Sequence, residues 1–270
     1  MEFDVNRRSA GQWMTDGNPF YTDFVRNWIS QHLDGMATIK ACEPYAGKLS
    51  LIKHLNDSIQ DISSRISWSA FDIAPQKEDD CDVKGIDISE CNTLFNIPDI
   101  PYDFIITNPP YLARNSARRR KLDFPFDKQG IGIKKPADLY QFALDTCLAS
   151  ADVCVMLIPE SFITSSYDKS RCDAIVSLRG DLFEDTDCPV CLALFDKQET
   201  EQTIIVANDG NVIGELNEIH KASHELIGKI THEIRMNDPE GDVALFGVDS
   251  PSGATIHFDA GDTIPSDDIK

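Results

Sequence analysis

The chain has 270 residues, 41% of them hydrophobic with 14 Phe, and carries a formal net charge of −20 from 25 Lys and Arg against 45 Asp and Glu. That length and apolar content allow one large α/β domain with its own core plus a small appendage. No apolar run approaches the roughly 20 residues that cross a bilayer, and Met1-Glu2-Phe3-Asp4 has neither the basic nor the apolar region of a secretory signal, so the sequence reads as cytoplasmic, with no membrane partner.

In chain order, Phe20 to Leu33 has apolar residues at helical spacing (Phe24, Val25, Trp28, Ile29, Leu33) and predicts a helix. Ala37 to Cys42 predicts a short strand ending at Glu43. Gly47 then opens a helix carrying Leu49, Leu51, Ile52 and Leu55. Ile66 to Phe71 predicts a strand ending at Asp72, and Val83 to Ile86 a weaker one ending at Asp87. Tyr102 to Thr107 is the strand before Asn108-Pro109-Pro110-Tyr111. Leu112 to Lys135 reads as a loop, and Asp138 to Ser150 as a helix. Val153 to Ile158 is a buried strand stopped by Pro159. Ile175 to Leu178 and Val190 to Phe195 complete the sheet as an antiparallel hairpin at its edge. Strands alternating with helices predict a mostly parallel sheet with helices on both faces. Beyond residue 198 the pattern changes. Thr203 to Ala207 and Asp242 to Val248 read as short strands, Leu216 to Ile234 as a helix, and the acidic tail as frayed. The division is therefore 1–198 as the main domain and 199–270 as a small extension.

The eight cysteines come without a secretion signal, which argues against a disulfide framework. Cys188-Pro189-Val190-Cys191 has CxxC spacing, but no second pair accompanies it at zinc-ligand spacing, and Val190 to Phe195 reads as a buried strand. No metal is expected.

Asn108-Pro109-Pro110-Tyr111 is the most informative stretch. At a strand end it offers two acceptor oxygens, the Asn108 side-chain carbonyl and the Pro109 backbone carbonyl, beside an aromatic face. Neither proline has an N–H to compete for those oxygens. Such a corner suits a planar amino group. Glu43, Asp72, Asp87 and Asn108 all sit at predicted strand ends, the edge where open α/β sheets bind ligands. Glu43-Pro44-Tyr45-Ala46-Gly47 runs from a strand-end acid to a glycine that lets backbone approach a ligand. The Asp72 carboxylate is placed to accept from ribose hydroxyls, and Asp87 from an adenine amine. Arg114, Arg118, Arg119, Arg120 and Lys121 cluster directly after the Asn-Pro-Pro-Tyr corner, with Lys134 and Lys135 beyond. In an acidic chain, a basic cluster at that position points to phosphate.

Together these residues resemble the class I S-adenosylmethionine-dependent methyltransferases, and within them the adenine-specific, amino-methylating DNA methyltransferases of the gamma arrangement. Tyr21-Thr22 at the start of a helix, then Glu43 to Gly47, then Asn108 to Tyr111 follow that family's order. Pro159-Glu160-Ser161-Phe162 resembles its later Pro-x-Ser-Phe element, and Leu182-Phe183-Glu184 the turn that supplies a second aromatic. The resemblance covers roughly residues 11 to 197. It implies a Rossmann-like, mostly parallel seven-stranded sheet with an antiparallel edge hairpin, and S-adenosyl-L-methionine as cofactor. It also implies transfer of a methyl group to the exocyclic N6 of an adenine flipped out of double-stranded DNA. On that resemblance Tyr21, Thr22, Glu43 to Gly47, Asp72, Ile73, Asp87, Ile88 and Asn108 hold the cofactor. Asn108, Pro109, Pro110 and Tyr111 form the catalytic corner, Phe183 stacks on the base, and the basic cluster binds phosphate. A bacterial or phage-encoded enzyme is implied, in the setting of restriction–modification.

The chain departs from the family in three places. The usual Gly-x-Gly of the cofactor loop has one glycine here, Gly47. Asp23 replaces the proline after Tyr-Thr. Only about seventy residues follow Phe195, fewer than the usual target-recognition domain, which leaves a homodimer or a separate recognition partner open. Alternative readings are an RNA adenine or a protein glutamine methyltransferase with the same corner, or a catalytically inactive methyltransferase-like binding protein.

Overall fold

The computed structural model describes residues 15–119, 121–122, 136–180, 182–183, 188–227, 243–250 and 253–260. Helix α1 (Asp23–His32) is N-capped by Thr22, whose hydroxyl accepts from the Val25 N–H, and buries Val25, Trp28 and Ile29. Strand β1 (Ile39–Glu43) leads through the glycine turn to α2 (Ser50–Ser58) and α3 (Gln60–Ser63). Then come β2 (Ile66–Asp72), β3 (Ile88–Glu90), β4 (Tyr102–Thr107) and α4 (Arg114–Arg119). Helix α5 (Leu139–Ser150) starts at Asp138, whose side chain accepts from the Tyr140 N–H. It is followed by β5 (Ala151–Pro159), β6 (Cys172–Ser177), β7 (Val190–Phe195), β8 (Ile204–Val206), β9 (Val212–Glu215) and α6 (Leu216–Ile227).

The sheet has nine strands in the order β3-β2-β1-β4-β5-β7-β6-β8-β9, not the expected seven. The first five are mutually parallel. Strand β7 runs antiparallel between β5 and β6. The expected antiparallel pair of β6 and β7 is present, but it is not the edge. Strand β8 adds in parallel to β6, and β9 closes antiparallel on β8. The extra strands are short, and β9 exposes Val212 at 58% and Ile213 at 60%. Strand β8 is the one expected over Thr203 to Ala207, whereas β9 lacks the continuous apolar run that marks a buried strand, so sequence pattern does not reveal it.

The central strands are covered on both faces, so they read as unbroken apolar runs. Phe104, Ile105 and Ile106 of β4, and Cys154, Met156, Leu157 and Ile158 of β5, have no exposed surface, and every residue of β7 is buried. Each fully buried large apolar side chain contributes about 1.5–3 kcal/mol. Cys191 lies within β7 and behaves as part of that core.

Two boundaries differ from expectation. The third strand begins at Ile88, after Asp87 rather than before it. Val83 and Ile86 pack instead against a cluster of Ala46, Leu49, Ile52, Ala70 and Cys81 beneath the glycine turn. Their apolar character serves that cluster, not the sheet. Within the stretch read as a loop, residues 114–119 form α4, with Ala117 turned inward. Arg120, Lys134, Lys135 and Glu184 lie outside the described residues.

The chain divides into two compact units, residues 1–218 and 219–270. The nine-stranded sheet lies in the first. In the second, β10 (Val243–Ser250) and β11 (Gly253–Ala260) form a two-stranded antiparallel ribbon, of which only the first strand is expected from sequence. Among the described residues no helix is long and apolar enough to cross a membrane.

Candidate active site

The strand order reverses at β1, which lies between β2 and β4. Ligands of open α/β sheets bind beyond the carboxyl ends of the strands at such a point. Ala41 pairs with Phe104 and Cys42 with Ile105, so Glu43 and Asn108 leave neighbouring strands on the same edge. Between them lies an open cleft lined by Thr15, Glu43, Tyr45, Ala46, Gly47, Lys48, Ser50, Leu51 and Asn108.

Glu43 is 2% exposed, and its Oε2 has no hydrogen-bond partner among the described residues. Burial, reinforced by the nearby Asp72 charge, holds its carboxyl well above the usual range. A buried acceptor aimed into a cleft without a donor costs free energy unless a ligand supplies one. The site therefore calls for a cationic or N–H-bearing group beside Glu43.

The turn after Glu43 is built by backbone geometry. The Ala46 N–H donates to the Phe71 carbonyl at 2.8 Å, and the Gly47 N–H to Asp72 Oδ2 at 2.9 Å. Gly47 has φ 53° and Leu49 φ 66°, both left-handed. The second of these is the place where a Gly-x-Gly loop has its other glycine. A leucine there costs roughly 1–2 kcal/mol of backbone strain. Complete burial of its side chain in the cluster with Ala46 and Ile52 offsets that cost. The single-glycine loop thus holds two left-handed positions with one glycine.

Asp72 has two structural duties. Oδ2 holds Gly47, and Oδ1 accepts from the Ala74 N–H at 2.8 Å. A carboxylate has about four acceptor positions, so both duties leave capacity for hydroxyl donors. Ile73, next to it, is 44% exposed, an apolar face at the strand end. Asp87 is exposed and enters β3, whereas Glu90 is the residue registered against Asp72.

At the Asn-Pro-Pro-Tyr corner, the Asn108 Nδ2 donates to Thr15 Oγ1 at 2.9 Å. The Tyr111 hydroxyl reaches both Asn108 Oδ1 and the Leu157 carbonyl, the latter at 2.6 Å. Tyr111 is 8% exposed, and burial raises its phenol well above the ordinary value. Its ring is packed in this structure. The corner is anchored behind Tyr111 by Asp138, whose Oδ1 accepts from the Leu112 N–H at 2.8 Å while the Arg114 N–H donates to the Ala137 carbonyl. Residues 112–114 are thereby stapled to 136–139.

Other expected residues are scattered. Thr22 caps α1. The Tyr21 hydroxyl donates to the Asn208 carbonyl at 2.8 Å, and the Arg179 guanidinium lies 4.7 Å over its ring. Neither Tyr21 nor Thr22 lines the cleft; Thr15, from the same N-terminal segment, does. Phe183 is packed, and the carbonyl of Leu182 beside it accepts from the Asp16 and Gly17 N–H groups. Arg114 Nη2 donates to the Pro136 carbonyl, while Arg118, Arg119 and Lys121 are exposed. The sequence offers no signal for Thr15, a single hydroxyl in a polar stretch, nor for Arg179.

No family model matches the sequence, and neither does any curated protein. Solved structures do resemble the fold. A Listeria monocytogenes protein described as a class I S-adenosylmethionine-dependent methyltransferase superposes with TM-score 0.54 at 12% identity, covering 81% of this chain and 71% of its own. The DrdV chain of a DrdV–DNA complex gives TM-score 0.54 at 14% identity, over 78% of this chain and 28% of that one. A type I restriction–modification methyltransferase subunit from Streptococcus thermophilus gives 0.48 at 13%, over 77% and 53%. Parallel strands β1 to β5, the inserted antiparallel β7 and a cleft at the β1/β4 reversal give this chain the fold of the class I S-adenosylmethionine-dependent methyltransferases.

Proposed function

We propose that the chain is an S-adenosylmethionine-dependent methyltransferase acting on the exocyclic N6 of adenine in DNA. The observation that carries this reading is one cleft lined both by Glu43, whose Oε2 has no partner among the described residues, and by Asn108 of the Asn-Pro-Pro-Tyr corner. The donor-seeking Glu43 fits the cofactor's amino group, and Asp72 its ribose hydroxyls, with Gly47 allowing close approach and Ile73 offering an apolar face to the adenine. When bound, the cofactor supplies an electrophilic methyl group on a sulfonium.

The residues of this chain do the rest. An aromatic amine is a poor nucleophile because its lone pair is delocalised into the ring. Asn108 Oδ1 and the Pro109 carbonyl accept its two N–H groups and favour a more tetrahedral nitrogen with its lone pair directed outward. These dipoles also stabilise the positive charge that develops on nitrogen, so orientation and electrostatic fit supply the acceleration. No strong base is needed beforehand, because the amine becomes acidic only as the new bond forms. The target atom lies inside a duplex, so the base must leave the stack. Stacking of that base on Tyr111 and Phe183 requires both rings to turn out of their packed positions. Support for DNA comes from the exposed Arg118, Arg119 and Lys121 on and after α4, just beyond the corner, and from DrdV, a chain of the same fold solved with DNA.

The deciding experiment incubates the protein with methyl-labelled cofactor and duplex DNA, structured RNA or release-factor protein, followed by base-resolved detection of modified adenine. Label in RNA or protein alone would overturn the DNA reading, and no cofactor binding by calorimetry would overturn the enzyme reading. A second expectation concerns the basic cluster. Replacing Arg118, Arg119, Arg120 and Lys121 by Gln weakens DNA binding and lowers the slope of log affinity against log salt by about one for each phosphate no longer neutralised. An unchanged slope would show these side chains to be solvated and idle.

A further inference from the structure

We infer that Thr15 is a positioning residue for Asn108, the hydroxyl that sets which end of the Asn108 carboxamide faces the substrate amine. This rests on the methyltransferase reading and adds a residue to its machinery. A carboxamide is nearly symmetric in shape but opposite in chemistry at its two ends. Turned by half a rotation, Asn108 would present an NH₂ to the target NH₂, donor against donor. Something must hold the acceptor end forward.

Tyr111 cannot do this alone. Its hydroxyl has one proton and faces two acceptors, Asn108 Oδ1 and the Leu157 carbonyl. Whenever that proton serves Leu157, Tyr111 no longer selects an orientation of the carboxamide. Thr15 Oγ1 receives the Nδ2 end at 2.9 Å from a residue that is itself 5% exposed and lines the same cleft. A buried hydroxyl at that distance keeps the amine end turned away and Oδ1 turned toward substrate.

Thr15 is also held from both sides. The neighbouring Asp16 and Gly17 N–H groups donate to the Leu182 carbonyl at 3.0 and 3.1 Å, and His54 Nε2 donates to the Asp16 carbonyl at 3.1 Å. Residues 15–17 therefore form a strap from α2, past Asn108, to the loop bearing Phe183. The strap brings Thr15 across a separation of 93 residues to Asn108.

The test compares Thr15→Val, which keeps the shape and removes the hydroxyl, with Thr15→Ser, which keeps the hydroxyl. Turnover on duplex DNA should fall about 10- to 100-fold in Thr15→Val, the size of a lost orienting hydrogen bond. KM for DNA, cofactor dissociation constant and melting temperature should stay near wild type, and Thr15→Ser should restore most of the rate. Independently of activity, the side-chain amide NMR signals of Asn108 in the ligand-free protein should shift or broaden in Thr15→Val and not in Thr15→Ser. An active wild type with an equally active Thr15→Val overturns the positioning role alone. So does a Thr15→Val loss of rate that tracks a loss of melting temperature and is not rescued by serine. A wild type that transfers no methyl to any acceptor overturns the methyltransferase reading and this role with it.

Discussion

Asn108→Ala should reduce methyl transfer by about 10²–10³-fold or more while leaving S-adenosylmethionine binding within a few-fold of wild type. The magnitude follows from removing one preorganised dipole aimed at developing charge. Selectivity follows from placement. Glu43, Asp72 and the Gly47 turn are built from β1, β2 and their loops, and the turn is held by the Ala46 N–H on the Phe71 carbonyl and the Gly47 N–H on Asp72. Alanine also leaves the Thr15 and Tyr111 hydroxyls without the carboxamide, so a modest loss of stability accompanies the change. Single-turnover kinetics with saturating cofactor separate the chemical step from binding. A mutant with wild-type single-turnover rate would remove Asn108 from the catalytic corner.

Glu43→Gln should stabilise the ligand-free protein and weaken cofactor binding. The Glu43 carboxyl is raised by burial first and by Asp72 second. A carboxyl raised on folding favours the folded state in its protonated form. That contribution is complete below the ordinary value of 4.5 and is lost as pH rises through the elevated folded value. The ligand-free wild type should therefore lose stability progressively as pH climbs above about 5, whereas Glu43→Gln, with nothing to ionise there, should not. By about pH 8 the mutant should be more stable by about 1–3 kcal/mol, the cost of an uncompensated buried polar group. Cofactor binding has the opposite sign. Glu43 must ionise to hold an ammonium, so binding releases a proton and tightens with pH across the same window. Calorimetry in two buffers of different ionisation enthalpy reads that proton directly. Glu43→Gln should lose about 10- to 100-fold in affinity, together with the pH dependence. Equal affinity in mutant and wild type would place the amino group elsewhere.

The Glu43 experiment tests a trade between stability and function at this cleft. Glu43, whose Oε2 has no partner among the described residues, and the left-handed Leu49 are features that a fold selected only for stability would discard. Leu49 shows how the fold accommodates such a feature. Its strain lies in the Gly47 turn, and its side chain fills the cluster that Val83 and Ile86 complete.

By itself the sequence determined the parallel core and the strand-end position of the Asn-Pro-Pro-Tyr corner. Phe104-Ile105-Ile106 and Val153 to Ile158 are uninterrupted apolar runs, legible because strands covered on both faces need no polar residues. Asn108 could be placed at a strand end because two prolines terminate β4 locally. Asp138 could be placed at the start of α5 for a similarly local reason, the capping chemistry of its side chain. Tertiary structure alone decided the rest. Strand β9, with Val212 and Ile213 exposed, has no periodicity to betray it and exists because β8 offers it an edge. Val83 and Ile86 carry strand-like character, yet a cluster from α2 and β2 claims them and moves β3 to Ile88. Thr15, Arg114 and Asp72 are polar residues whose duties depend on partners far along the chain. Local sequence encodes burial through hydrophobic pattern, whereas a hydrogen-bond partner is chosen only when the fold brings the two groups within reach.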